Sequence, residues 1–341
     1  MVQVRTMSTT TTTHSGFAEL RARQALREAG LPWEEPLQRA ASTRNEVFLA
    51  PDHVVRFNIE PSERLSREAH IYELLADRPW TPDVVAHGDR LGADYLIVSR
   101  RPGHPLSRCW PTMSQSQRHR AIRQFTSCLI DLHQVRNDGA LVDIGPSPHL
   151  LDDTDPVAPL VEALDRLSTV KGVEHELVAE AREITVSLAG ALDQGPHQTL
   201  VHGDLTLENI LWDGDRITAV LDFEWCRPGP ADLDLDVLAR FCSIPGAHLP
   251  IEAAAAQDAE DYRHVPGWMA QVYPALFDHP RLGERLFVYA LAFEVRDVLA
   301  SPLPTDKSGL HPLHPYLRLD HLLATGGHVN ELLEHLGLPV L

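Results

Sequence analysis

Apolar residues recur along this chain in two rhythms. Leu37–Ala41, Glu46–Ala50 and Val54–Ile59 are short dense runs, and Pro51-Asp52-His53 between the last two has tight-turn chemistry. The pattern predicts three short strands, and Val84–His87 and Tyr95–Ser99 predict two more of the same small sheet before Arg101-Pro102-Gly103 breaks the chain. Helical spacing flanks and interrupts these runs. Phe17, Leu20, Ala25 and Leu26 predict a helix over about 16–30, closed by Gly30 and Pro32. Leu65, Glu68, Ala69, Tyr72 and Leu75 share one helix face, and the carboxylate in the middle of that face is out of place.

After residue 103 the pattern is mostly helical. Ser114 reads as the N-cap of a helix through Val135 with Ile122, Phe125, Leu129 and Leu132 on its buried face. Further helices are expected at about 157–168, 174–192, 233–243, 251–263, 281–300 and 315–336, with an irregular loop over 137–156. One hairpin, Asn209–Asp213 and Ile217–Phe223, turns at Gly214-Asp215.

Composition narrows the function. The 341 residues carry 30 Lys+Arg against 48 Asp+Glu, a formal charge of −18, which argues against a nucleic-acid partner. Cys109, Cys128, Cys226 and Cys242 are too far apart for a C-x-x-C motif, which suits a reducing cytoplasm. Residues 1–15 read as a flexible leader without the basic and apolar regions of a signal peptide. The apolar stretch 286–293 is far shorter than the roughly 20 residues a membrane-spanning helix needs. Only Lys171 and Lys307 are lysines, so any early phosphate contact falls to Arg.

The chemistry concentrates in residues 197–240. An apolar strand ending at Val201 delivers His202-Gly203-Asp204 onto a loop, Asn209 follows five residues after Asp204, and the hairpin returns Asp222 at the end of a second apolar strand. One carboxylate to take an alcohol proton, with an Asn and an Asp as hard oxygen ligands for Mg²⁺, is the minimum equipment for moving a γ-phosphoryl group. The segment resembles the catalytic core of the aminoglycoside phosphotransferase and choline kinase-like family of small-molecule kinases. The pattern H-G-D-x-x-x-x-N, then D-[FW]-E, then G-[DP]-x-x-D-L is matched by His202, Gly203, Asp204, Asn209, Asp222, Phe223, Glu224, Gly229, Asp234 and Leu235.

That resemblance implies an α+β, bilobal protein-kinase-like fold. Residues 16–101 would form a nucleotide-binding lobe, an antiparallel sheet with one main helix, and 102–341 a helical lobe with the catalytic loop and acceptor site. It also implies roles. Asp204 would orient or deprotonate the acceptor hydroxyl, Asn209 and Asp222 would hold Mg²⁺, His202 would brace the loop, and Asp234 would pin it from a helix start. At least one of the flanking Asp232 and Asp236 reads as part of a solvated acidic helix start, favoured by the macrodipole. Arg56, with Glu68 as partner, would stand where the family has Lys against the nucleotide phosphates. The loop Ala41–Asn45, through Ser42 and Asn45, would cover those phosphates, and the strand ending in Ser99 and Arg101 resembles the purine-binding hinge.

Glu224, Glu294 and Asp297 are the acceptor-site candidates, an acidic and partly aromatic environment suited to a cationic or sugar-bearing acceptor. The leading expectation is an ATP- or GTP-dependent antibiotic O-phosphotransferase, an enzyme of resistance or self-resistance. The alternatives are a metabolic kinase of choline, homoserine or a thio-sugar, and a nucleotide-binding pseudokinase. The missing H-R-D, Gly-rich-loop and A-P-E signatures argue against a protein kinase.

Overall fold

A computed structural model of the chain describes residues 10–40, 42, 45–59, 62–89, 94–136, 147–152, 154–192, 199–249, 258–301, 303–304 and 306–341. Two compact units divide it: residues up to Gly103 together with Thr218–Glu224, and His104–Ile217 together with Trp225–Leu341.

The first unit is built on a five-stranded antiparallel sheet of β1 (Gln38–Ala40), β2 (Asn45–Leu49), β3 (His53–Asn58), β4 (Val84–Gly88) and β5 (Tyr95–Ser99), in the order β1-β2-β3-β5-β4. The turn at Pro51-Asp52 sets the register Leu49↔Val54, which continues to Asn45↔Asn58. Side chains alternate across a pleated strand, so Val55 and Phe57 of β3 face one way, with Phe48 and Ile97, onto Ala18, Ala22, Ala25 and Leu26 of helix α1 (Thr10–Glu28). Burying Val55 or Phe57 is worth about 1.5–3 kcal/mol each. The residue between them, Arg56, is thereby turned to the other side of the sheet, where helix α2 (Arg64–Leu74) buries Leu65, Glu68, Ala69, Ile71 and Tyr72. Helix α1 begins at Thr10, within the stretch expected as a leader.

The second unit is mainly helical. Its described helices are α3 (Leu106–Cys109), α4 (Gln115–His133), α5 (Ala158–Leu167), α6 (His175–Leu188), α7 (Asp232–Ser243), α8 (Val265–Val272), α9 (Leu282–Ala300), α10 (Pro315–Thr325) and α11 (Gly327–Leu336). Ser114 caps α4 in a reciprocal capping box with Gln117. The helix α9 is buried on much of its surface, through Leu286, Val288, Leu291, Val295 and Val298 and also through the charged Arg285 and Glu294, which are paired. Two short antiparallel pairs frame the motif loop: β6 (His104–Pro105) with β8 (Ile210–Trp212), and β7 (Leu200–Val201) with β10 (Arg227–Pro228). The strand β9 (Ile217–Val220) leads into the Asp222 turn.

Three expectations change. The helix expected over 315–336 is two, because Gly326 and Gly327 take left-handed backbones at φ 77° and 50°, and a Cβ on Gly326 would strike the Asn330 side chain. Of the helix expected over 251–263, residues 251–257 lie outside the described set, and Ala259–Tyr262 is a 3₁₀ turn. Asp232 and Asp236 are not solvated: both are buried against basic partners.

Candidate active site

The motif loop starts where β7 ends. Gly203 has φ 79°, and a Cβ there would lie 2.7 Å from the Trp225 carbonyl oxygen and 3.0 Å from His149 Nε2, so only glycine fits. The buried Asp234 carboxylate accepts the backbone N–H of His202 on Oδ2 and of Gly203 on Oδ1, both at 2.8 Å. His133 Nε2 lies 3.0 Å from the same Oδ2, and its Nδ1 is 3.3 Å from the Tyr273 hydroxyl. Burial alone would push the Asp234 carboxyl up, but His133, His202 and the Gly203 N–H hold it below its ordinary value. Within the loop, the Asp204 N–H donates to His202 Nδ1 at 3.2 Å, and Asn209 Nδ2 donates to the Asp204 carbonyl at 2.9 Å. Asp204 and Asn209 are half-buried, so each keeps an open side.

Three acids of α7 each draw a different element to that helix. Asp232 accepts from Arg285 Nη2 at 3.1 Å and from the Tyr289 hydroxyl at 3.2 Å, both on α9. Asp234 takes the loop and His133 of α4. Asp236 binds His328 Nε2 of α11 at 2.8 Å and also Arg240.

In the first unit, Arg56 Nη1 lies 2.6 Å from both Glu68 oxygens, and its Nη2 donates to Asp222 Oδ1 at 3.0 Å. Burial pulls the guanidinium down, yet Glu68 and Asp222 together raise it above its ordinary value, so it stays charged. The Asp94 carboxylate, just ahead of β5, accepts from Leu65 N at 2.8 Å, Ser66 N at 3.2 Å, Ser66 Oγ at 2.6 Å and Asn58 Nδ2 at 2.9 Å. An anion on the first turn of α2, tied to the end of β3, fixes the helix that carries Glu68 relative to the strand that carries Arg56.

The other expected positions divide. Ser42 is exposed and its Oγ accepts the Asn45 N–H at 3.3 Å, while Ala41, Thr43 and Arg44 lie outside the described residues. The Ser99 hydroxyl pairs with Asp83, and the Arg101 guanidinium is committed to the carbonyls of Thr218 and Pro79, which makes it a brace. Glu224 is buried, 3.9 Å from Arg64. Glu294 accepts from Arg318 on both oxygens, at 3.1 and 3.0 Å, and Asp297 from Arg318 and Arg296. Those two carboxylates are neutralised in an ion-pair network, so they do not form the open acidic patch that the charge pattern suggested.

Sequence reasoning missed Asp94, His133 and His149. His133 had a signal, since it stands four residues after Leu129 and so falls on the buried face of α4. Neither Asp94 nor His149 has a local pattern. His149 is buried, and burial with the nearby Arg296 and Arg227 lowers it to about 3.

Comparison with known proteins gives the frame for this geometry. The model of a phosphotransferase enzyme family, APH, matches residues 35–242. Among solved structures, the streptomycin–ATP ternary complex of APH(2")-IIa is 15% identical, covering 95% of this chain and 98% of that one, with a TM-score of 0.57. A choline/ethanolamine kinase family protein from Mesorhizobium loti is 18% identical over 93% and 98%, with a TM-score of 0.58. A thermostable mutant of aminoglycoside phosphotransferase APH(4)-Ia, in ternary complex with ADP and hygromycin B, is 15% identical over 89% and 98%, with a TM-score of 0.60. At these identities the likeness is one of fold, and the fold is the protein-kinase-like one. No curated protein matches the chain.

Proposed function

Because the chain belongs to the APH family of phosphotransferase enzymes, we propose that it transfers the terminal phosphoryl group of ATP or GTP to a hydroxyl of a small molecule. The observation that carries this is the loop itself: Asp234 fastens the backbone of His202 and Gly203, and Asn209 fastens the carbonyl of Asp204. A carboxylate on a rigid loop is what orienting an acceptor hydroxyl and receiving its proton requires. Asn209 and Asp222 suit Mg²⁺ because their oxygens are hard donors, and both side chains are half-open to solvent. When bound, the ion would neutralise charge on the transferring phosphates. Arg56, charged and steadied by Glu68, is the cation for the nucleotide phosphates, and Ser42 and Asn45 belong to the loop that covers them.

The acceptor we propose first is an antibiotic, on the strength of the family pattern. A metabolic alcohol such as choline, homoserine or a thio-sugar is the second reading. The guanidinium partners of Glu294 and Asp297 remove free negative charge that would draw a polycation, which favours acceptors of low charge such as homoserine or a thio-sugar. The test is to incubate the purified protein with Mg·ATP or Mg·GTP and a panel of aminoglycoside, tuberactinomycin, macrolide and nucleoside antibiotics and small alcohols. A mass gain of one phosphoryl group identifies the acceptor. Asp204→Asn should lower its rate by on the order of a hundredfold or more while nucleotide binding persists. Transfer at the wild-type rate in that variant would remove Asp204 from its role.

A further inference from the structure

The turn after β9 carries Asp222 in a conformation that needs support. Its φ is 66°, in the left-handed region that a non-glycine residue adopts only when its surroundings impose it. The strand ladder cannot impose it, since β9 ends at Val220. Contacts within the first unit hold this segment, among them three that involve Trp80 and Tyr72. The Val220 N–H donates to the Trp80 carbonyl at 3.0 Å, the Asp222 N–H donates to the Tyr72 hydroxyl at 3.3 Å, and the Phe223 ring meets Tyr72 edge-on at 5.6 Å. The middle one acts on Asp222 itself.

Tyr72 stands one turn after Glu68 on α2, buried, and its hydroxyl donates to Glu68 Oε1 at 2.8 Å. A phenol has one proton, so with its O–H donated to Glu68 the oxygen lone pair is left to accept the Asp222 N–H. Glu68 thus reaches Asp222 twice, through Arg56 to the carboxylate and through Tyr72 to the main chain. Phenylalanine at position 72 would fill the same space; the hydroxyl is there for the bridge.

We infer that Tyr72 is a positioning residue, whose hydroxyl fastens the Asp222 main chain to Glu68 and so holds Asp222 in the backbone conformation that presents its carboxylate to Mg²⁺. This rests on Asp222 being a metal ligand, as proposed above. The experiment titrates Mg²⁺ by calorimetry into the full chain with excess non-hydrolysable ATP analogue, for wild type, Tyr72→Phe, Trp80→Leu and Asp222→Asn, each checked by thermal melting. Tyr72→Phe should remain folded and need about tenfold more Mg²⁺ for half-saturation, the scale of one buried hydrogen bond. Trp80→Leu, which removes the ring stacked on Phe223 (centroids 6.3 Å apart), should melt lower with an unchanged Mg²⁺ midpoint. A wild-type midpoint in Tyr72→Phe, equal shifts in Tyr72→Phe and Trp80→Leu, or a Tyr72→Phe that does not fold would each overturn the inference. An Asp222→Asn variant that binds Mg²⁺ like wild type would instead overturn the metal-ligand reading. Loss of binding there with a normal Tyr72→Phe condemns the Tyr72 role alone.

Discussion

Asp234→Asn separates geometry from charge at the loop anchor. The carboxylate uses both oxygens: Oδ2 takes the His202 N–H and faces His133 Nε2, and Oδ1 takes the Gly203 N–H. An amide has one oxygen and one NH₂, so whichever way the substituted side chain turned, its nitrogen would confront at least one of these donors. One charge-assisted hydrogen bond is lost, worth about 1.5–3 kcal/mol, and a buried N–H is left without a partner, about 1–3 kcal/mol more. The total is about 3–5 kcal/mol, the range for breaking a buried pair by removing one member. For a unit of this size that is a fall in Tm of about 10 °C. Differential scanning calorimetry of wild type and variant at neutral pH reads it directly. Backbone hydrogen exchange at His202 and Gly203 should accelerate together. A change below about 1 kcal/mol with unchanged exchange would mean that the loop is held elsewhere and that the anchor assignment is wrong.

Arg56→Ala leaves Glu68 buried without its cation and should destabilise the first unit by about 3–5 kcal/mol and weaken nucleotide binding. Arg56→Lys should recover more than half of both, and urea unfolding with equal losses in the two variants would refute the ion-pair account. His149, lowered to about 3 from an ordinary 6.5, makes the fold acid-sensitive. Between those values the unfolded chain binds a proton that the folded one refuses. Stability is therefore full above about pH 6.5, falls by up to about 1.4 kcal/mol per pH unit on acidification and levels off near pH 3. Urea midpoints at pH 7.5 and 5.0 should diverge less in His149→Gln than in wild type, and parallel curves would sink the assignment.

What the sequence made legible was what its chemistry keeps local. His202, Gly203, Asp204 and Asn209 form one loop, and their spacing alone brings them together. Glu68 was legible as a carboxylate on an apolar face, and its partner Arg56 lies on the preceding strand. The strands of the first unit were readable because hairpin pairing depends on neighbours in sequence. Glu294 and Asp297 misled because a helix face shows its charges without its partners: Arg318 lies on α10, beyond an intervening loop. Asp232 and Asp236 misled likewise, with Arg285 and His328 contributed from far downstream. Asp94 was invisible because capping by a distant carboxylate leaves no trace near the helix it caps. The break at Gly326-Gly327 was in plain sight, and apolar periodicity on both sides masked it.

The three acids of α7 also bear on how the chain is made. Asp234 meets its basic partner 101 residues upstream, already synthesised when α7 leaves the ribosome. Arg285 and His328 come 53 and 92 residues after Asp232 and Asp236. At about 5–20 residues per second, the last of these arrives roughly 5–20 seconds later. Until α9 is made, a helix start with three carboxylates has His133 and its own Arg240 in reach, and after that the partner from α11 alone of these is still untranslated. The nascent second unit can therefore close around the motif loop early, and α9 and then α11 are added to it afterwards. A ribosome stalled before His328 would hold a chain whose α7 is anchored at Asp234 and open to solvent or a chaperone on the side that α11 later covers.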